Sequence, residues 1–293
     1  MRFRGLVWVY KPSFDIRIGK RVQYKNLRIL LYILVSERYM YQNNHHKASQ
    51  FNPLTMSDIE VEFEARSLEL TLRDLKGVYK VLKHSFCGSE DVDVEDLTLF
   101  LLEQEFTQAY TACSVLTLKD QSELNDGILG LATIIPLKET RVSGMLVPHM
   151  LNIAATDGRH QLLSLLSSSD SNVGLIISER LIKFPPYIAE PIYHYLAKDV
   201  KKAQNENLPY NFTHYVIISK VMVPSDPEMA LIMGSMGDTY LNQEEEFFGP
   251  ECDFMLDTKM SKSQGDLTET KKIMVFKAEK LDRIVNIFRE KLG

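Results

Sequence analysis

The chain has 293 residues, of which 45% are hydrophobic and 25% charged, an ordinary globular composition with enough apolar material for a sizeable core. Its net charge of −5 is unevenly spread: residues 1–55 carry ten Lys/Arg against two acidic residues, a local +8, which leaves −13 on residues 56–293. An acidic body argues against nucleic acid as the main ligand, because phosphate neutralisation needs clustered Lys and Arg, and it suits basic protein partners or a plainly solvated surface. The three cysteines, Cys87, Cys113 and Cys252, are odd in number and far apart, with no C-x-x-C. That excludes a disulfide framework and fits a reducing compartment.

In chain order, residues 1–55 read as a basic extension outside the fold, and residues 56–293 as a single domain. The stretch Asn43-Asn44-His45-His46 is polar, and Asn52-Pro53 is a turn signal. Met56-Ser57-Asp58 opens a different composition and is an alternative start. Leu27–Val35 is too short to span a bilayer and contains Arg28, and Lys11-Pro12 cuts off the apolar part of the N-terminus too early for a secretory signal. Partial alternation from Val61 to Leu70 predicts an edge strand. Thr71 is placed to cap a helix running to about Phe86, with Leu72, Leu75, Val78, Tyr79 and Leu82 at helical spacing, Gly77 weakening it and Cys87-Gly88 ending it. Asp93 or Ser89 starts the next helix, Val94 to Ala109. The acidic cluster ahead of it lacks the glycine and terminal Glu of a calcium loop, and reads as a helix N-terminal charge preference.

Gly127 to Ile135 predicts a strand ended by Pro136, and Gly144 to Leu166 a helical stretch broken at Asp157-Gly158. Val173 to Ile177 is an uninterrupted apolar run, expected as a buried strand. Pro185-Pro186 gates a helix to about Asn205. Asn211 to Val223 predicts another long strand, so the Asn211-Phe212-Thr213 sequon reads as chance. Ser225 to Gly237 is expected as a loop or short helix, Glu244–Phe248 and Phe254–Leu256 as strand pieces, Ser261 to Thr270 as a polar loop, Lys272 to Phe276 as a strand, and Ala278 to Leu292 as a closing amphipathic helix. The alternation predicts an α/β or α+β fold, a mixed sheet flanked by helices.

Catalytic patterns are missing. There is no G-x-x-x-x-G-K-[ST], no G-x-G-x-x-G and no G-x-S-x-G, and Ser178 follows a strand without the glycines of a nucleophile elbow. No H-x-x-x-H or H-E-x-x-H occurs, and His45-His46 are adjacent, so they cannot share a helix face. No catalytic, cofactor or metal residue is assigned. Glu244-Glu245-Glu246 beside Phe247-Phe248 reads either as an acidic docking strip with aromatic anchors or as a strand with core Phe and solvated Glu.

Several segments together resemble the BCCIP/Bcp family, eukaryotic proteins named for binding a breast-cancer susceptibility protein and a cyclin-dependent kinase inhibitor. They are Val173–Tyr193, Tyr215–Val221, Glu244–Phe248 and Lys272–Phe288, with Val61–Ala65 at the start, and the resemblance runs from about Glu60 to Leu292. Its most specific part is S-E-R-L-I-K-F-P-P, Ser178 to Pro186. The resemblance implies a fold similar to the GCN5-related acetyltransferases, which bind acetyl-CoA pyrophosphate through [QR]-x-x-G-x-[GA] at a splayed strand. Here the nearest string is Arg141-Val142-Ser143-Gly144-Met145-Leu146, with Leu where a small residue is needed. That departure agrees with a non-enzymatic family without cofactor.

The resemblance further implies a binding protein of nucleus and cytoplasm, a chaperone that escorts a basic large-subunit ribosomal protein in ribosome production and nuclear export. Recombination and cell-cycle proteins are its other implied partners, with no direct nucleic acid and no membrane. A genome-maintenance scaffold is the alternative, and a degenerate acyl-CoA-dependent transferase a more distant one. The contact surface is expected at Ser178, Glu179, Arg180, Pro185, Pro186, Glu244, Glu245, Glu246, Phe247 and Phe248. The basic segment 1–55 departs from the acidic tail usual in the family, as does the short Pro224–Asn242 connection from its Lys-rich insertion.

Overall fold

The computed structural model describes residues 60–61, 63–69, 71–106, 113–118, 128–138, 140–180, 186–226, 239–264 and 267–292, with Asp15–Ile16 and Val22–Gln23. The elements run β1 (Phe63–Ser67), α1 (Leu72–Ser85), α2 (Val94–Phe106), β2 (Cys113–Leu118), β3 (Gly130–Pro136), α3 (Ser143–Ile153), α4 (Thr156–Ser167), β4 (Val173–Arg180), α5 (Ala189–Asn205), β5 (His214–Pro224), β6 (Thr239–Tyr240), a 3-10 helix (Gln243–Glu251), β7 (Phe254–Gln264), β8 (Leu267–Lys277) and α6 (Leu281–Leu292). The mixed sheet flanked by helices is the architecture the sequence implies. Its order is β1-β2-β3-β4-β5-β8-β7, with Asp15–Ile16 beside β1 and β6 beside β5. All pairings are antiparallel except β4 with β5. Val22–Gln23 pairs with Glu60–Val61.

Strand periodicity divides the core into two layers. On β4, Val173, Leu175 and Ile177 join a cluster with Leu82 of α1, Leu101 of α2, Met150 of α3 and Leu162 of α4. Ile176 faces the opposite layer, with Ile192, Tyr193 and Leu196 of α5, Ile284 and Phe288 of α6, and Phe248 of the 3-10 helix. Both faces are covered, so β4 reads as a continuous apolar run rather than an alternating one.

Local chemistry fixes α1. Thr71 Oγ1 accepts the Asp74 amide at 3.1 Å, a cap worth about 1 kcal/mol. The buried Asp74 carboxylate takes both terminal nitrogens of Arg66 on β1, one at 2.6 Å, and the Glu69 amide at 2.9 Å, which ties strand to helix. Gly88, at φ 80°, supplies the left-handed turn after the helix. The Asp93 carboxylate accepts the Asp96 amide at 3.0 Å and caps α2.

Several elements differ from expectation. The strand expected at Glu244–Phe248 is a 3-10 helix, and the polar loop expected at Ser261–Thr270 is the far end of the β7–β8 hairpin. The helical break falls at Ala154-Ala155, where Ala154 bridges Thr258 and the Ala155 amide donates to the Asp257 carbonyl at 3.0 Å; Asp157 and Gly158 lie inside α4. β2 matches no expected element. Most of the Ser225–Gly237 segment lies outside the described residues, as do His45, His46, Asn52 and Pro53.

Gly77 has a packing role. A Cβ there would lie 2.9 Å from Ile128 Cβ and 3.0 Å from the Ile128 backbone nitrogen, and neither atom can swing aside. Gly77→Ala therefore sets a helix-propensity gain of about 1 kcal/mol against overpacking of about 1–3 kcal/mol. Urea unfolding is expected to show net loss of stability, whereas an unexposed clash-free glycine would give a gain.

Candidate functional site

The parallel β4–β5 ladder runs only from Val173↔His214 to Ile176↔Ile217, although β4 continues to Arg180 and β5 to Pro224. Past that point β4 stays paired to β3 up to Gly130↔Arg180. The side of β5 that leaves β4 pairs instead with β6, Val221 opposite Tyr240, and the Leu241 amide donates to the Lys220 carbonyl at 2.9 Å. Asn242 Nδ2 then reaches the Ser178 carbonyl of β4 at 3.5 Å. Residues 239–242 thus fill the opening between the two strands.

Alternation sends Glu179 and Arg180 to opposite faces of this opening. On the first face, Lys220 Nζ donates to Glu179 Oε2 at 2.7 Å and to the His84 carbonyl at 3.1 Å. His84 Nδ1 lies 3.3 Å from Glu179 Oε1. Burial disfavours the Glu179 carboxylate, but His84 and Lys220 together outweigh it and hold its pKa below the ordinary value. On the second face, Arg180 Nη2 donates to Glu244 Oε2, and Asn242 Nδ2 donates to Glu245 Oε1 at 3.0 Å.

Glu244 and Glu245 are each 1% exposed. One guanidinium therefore stands against two adjacent buried carboxyls. Burial pushes Glu244 up against the pull of Arg180. Burial, and then the charge of Glu244, push Glu245 up to about 8, which favours its neutral form. Among the described residues, Arg180 Nη1 and Glu244 Oε1 have no hydrogen-bond partner.

The residues of the expected contact strip are divided between interior and surface. Glu179, Arg180, Glu244 and Glu245 are buried, with their side chains directed into the molecule. Phe248 is wholly buried against Tyr193, Phe276 and Phe288, and Phe247 packs on Phe288 at 6.0 Å. Phe248 belongs to the core, and the half-buried Phe247 packs against it. Glu246 is exposed, while Ser178 and Pro186 are half-buried. Pro185 lies outside the described residues. The sequence could not announce these pairings, because Arg180 and Glu244 are 64 residues apart and a charged triplet by itself reads as solvated.

The Arg141–Leu146 string does not form a phosphate cradle. It precedes and enters α3 after β3, not after the strand that splays. Arg141 is held by Glu103 and Asp96, Leu146 is core, and a Cβ on Gly144 would touch nothing. The chain that leaves β4 reads Leu181-Ile182-Lys183-Phe184-Pro185-Pro186, with no glycine. A cavity of about 20 Å³ lies between Phe86, His149, Ile177, Lys220 and Lys271, room for about one water and far below a small-molecule pocket. In it, His149 Nδ1 meets Asp91 Oδ1 at 2.7 Å, and burial holds the His149 pKa below the ordinary value against the attraction of Asp91. Among the described residues no cluster of three metal-ligating side chains occurs, and no helix is long and apolar enough to cross a membrane.

The two buried carboxyls have opposite expected outcomes. Glu245 is raised in the folded state, so its contribution is complete below its unfolded pKa of 4.5 and is lost as pH rises through about 8. Thermal melts should show Glu245→Gln more stable than the parent at pH 8, with the two converging below pH 4.5. Glu244→Gln strands Arg180 without its counter-charge and should cost about 3–5 kcal/mol at neutral pH.

The family model described as BCCIP matches residues 58–281. The BRCA2 and CDKN1A-interacting protein of Mus musculus is 25% identical over 268 residues, covering 80% of this chain and 82% of that protein. Protein bcp1 of Schizosaccharomyces pombe is 38% identical over 89 residues, a local match to 29% of this chain and 32% of that protein. The crystal structure of BCP1 from Saccharomyces cerevisiae superposes with a TM-score of 0.55 at 15% identity, over 79% of this chain and 88% of that one, and shares the fold. The chain belongs to the BCCIP family.

Proposed function

We propose that this chain is a chaperone for a basic large-subunit ribosomal protein, escorting it between cytoplasm and nucleus during ribosome production. The observation that carries the reading is the −13 charge of residues 56–293, combined with where the carboxylates stand. Although Glu179, Glu244 and Glu245 are spent inside the fold, Glu90, Asp93 and Glu95 ahead of and within the first turn of α2 are exposed and make no ion pair among the described residues. The helix N-terminus favours such a cluster energetically. A negative surface of this kind attracts the Lys/Arg tracts of a ribosomal protein over a distance and screens them from other polyanions. Nuclear export and ribosome production belong to the proposal through this client.

A second reading is favoured by the mouse relative, named as a BRCA2 and CDKN1A-interacting protein. In it the same surface serves a genome-maintenance or cell-cycle scaffold. The acyl-CoA-dependent alternative loses its footing, since its candidate string sits on the wrong element and the strand opening is filled by the chain itself.

The full chain, used as bait in the source cell with mass spectrometry of the captured proteins, separates the two. The chaperone reading expects one large-subunit ribosomal protein in near-stoichiometric amount, released as salt rises. Capture of recombination or cell-cycle proteins without it would shift the assignment to the scaffold. Absence of any ribosomal protein at low ionic strength would sink the chaperone reading.

A further inference from the structure

From the outer face of α1 we infer that this chain carries a second, oppositely charged docking surface, one that takes a short acidic peptide segment of a partner protein. Arg73, Lys76, Lys80 and Lys83 recur at intervals of three and four residues and so form one face of the helix. Lys76, Lys80 and Lys83 are exposed and Arg73 half-buried. None of the four makes an ion pair with a described residue, although carboxylates outnumber Lys and Arg in residues 56–293. Lys83 instead lies over the Tyr79 ring at 5.5 Å.

This arrangement disfavours the isolated helix. Arg73–Lys76 and Lys80–Lys83 are like-charged i,i+3 neighbours and Lys76–Lys80 an i,i+4 neighbour, each destabilising. Arg73 and Lys76 also stand near the positive end of the helix dipole. A face needed only for solubility would mix the two signs. An anionic partner relieves all of these repulsions together.

Charge complementarity and length select the occupant. The four cations span about 15 Å of helix, the reach of about five residues of extended peptide. In sequence the row is flanked by exposed carboxylates, Glu69 before the helix and Glu90 after it, and a net-negative chain of 56–293 repels a long polyanion more than a short acidic segment. Leu72, 68% exposed at the start of the row, offers contact to an apolar residue flanking the acidic ones. This surface is independent of the ribosomal-protein reading, which uses the opposite charge.

The test is fluorescence anisotropy at low salt with the full chain and a labelled Glu-rich peptide of about eight residues containing one Leu. A single-stranded RNA of equal charge is the competing ligand. Saturable peptide binding is expected. Lys76→Ala with Lys80→Ala should weaken it about three- to tenfold without destabilising the helix, since Ala is the best helix former. Lys76→Glu with Lys80→Glu should weaken it further. Lys198→Glu, on the exposed side of α5, should leave it unchanged. No peptide binding at low salt, parental affinity in the alanine variant, equal weakening by Lys198→Glu, or tighter binding of the RNA would each overturn the inference.

Discussion

The divergence of β4 from β5 is the constraint on which the rest of this structure depends. Two parallel strands that stop pairing leave backbone groups facing each other across a gap, and buried backbone groups must find partners. Here the gap is closed from within the chain. Residues 239–241 continue the ladder on β5, and Asn242 crosses to the Ser178 carbonyl. The same divergence lets β4 end in two charged residues at full burial. Glu179 is met by Lys220 and His84 on one face, and Arg180 by Glu244 on the other. Each pairing draws in a different element: α1 through His84, and the 3-10 helix through Glu244.

Buried ion pairs of this kind are weak sources of net stability, because desolvation offsets most of the attraction. Their effect is asymmetric. Intact, they contribute little; with one partner removed, they leave a buried charge uncompensated. A helix that docks through Glu244 can therefore sit only where Arg180 is, and a strand end that carries Glu179 can pack only under Lys220. The apolar contacts of Phe248 with Tyr193, Phe276 and Phe288 supply the favourable burial. The ion pairs select which of the possible packings is adopted. Glu245 is held in the same segment by Asn242 and buried with its pKa raised, which ties the packing of this segment to pH.

Much of the fold was legible in residue order. Thr71 and Asp93 are capping residues followed by helical spacing, and both cap helices. The apolar run from Val173 identified a strand covered on both faces. What escaped was set by partners distant in sequence. The outer half of the β7–β8 hairpin pairs Thr268, Glu269 and Thr270 with Ser263, Lys262 and Ser261, a ladder of polar side chains with no apolar alternation to betray it. β2 is short and buried between β1 and β3. The burial of Glu244 and Glu245 escaped for the same reason: a Glu-Glu-Glu triplet reads as solvated until the Arg180 guanidinium and the Asn242 amide are placed against it. Within the string from Ser178 to Pro186, Glu179 and Arg180 are buried against Lys220 and Glu244.

Folding and binding are consequently carried by different charges. The buried set, Glu179, Lys220, Arg180 and Glu244, surrounds the strand opening. The exposed sets are the cationic face of α1 and the acidic approach to α2. These two helices pack together, yet their exposed charges of opposite sign do not neutralise one another among the described residues. Two neighbouring helices on a rigid sheet can then present opposite fields to different ligands, and each field acts over about a Debye length. Because the surface residues share no partner with the buried ones, substitutions in the two sets should act additively on stability. A loss of binding caused by an α1 or α2 surface change can then be assigned to the surface itself, whereas a loss caused by changing Ser178–Arg180 cannot be separated from damage to the fold.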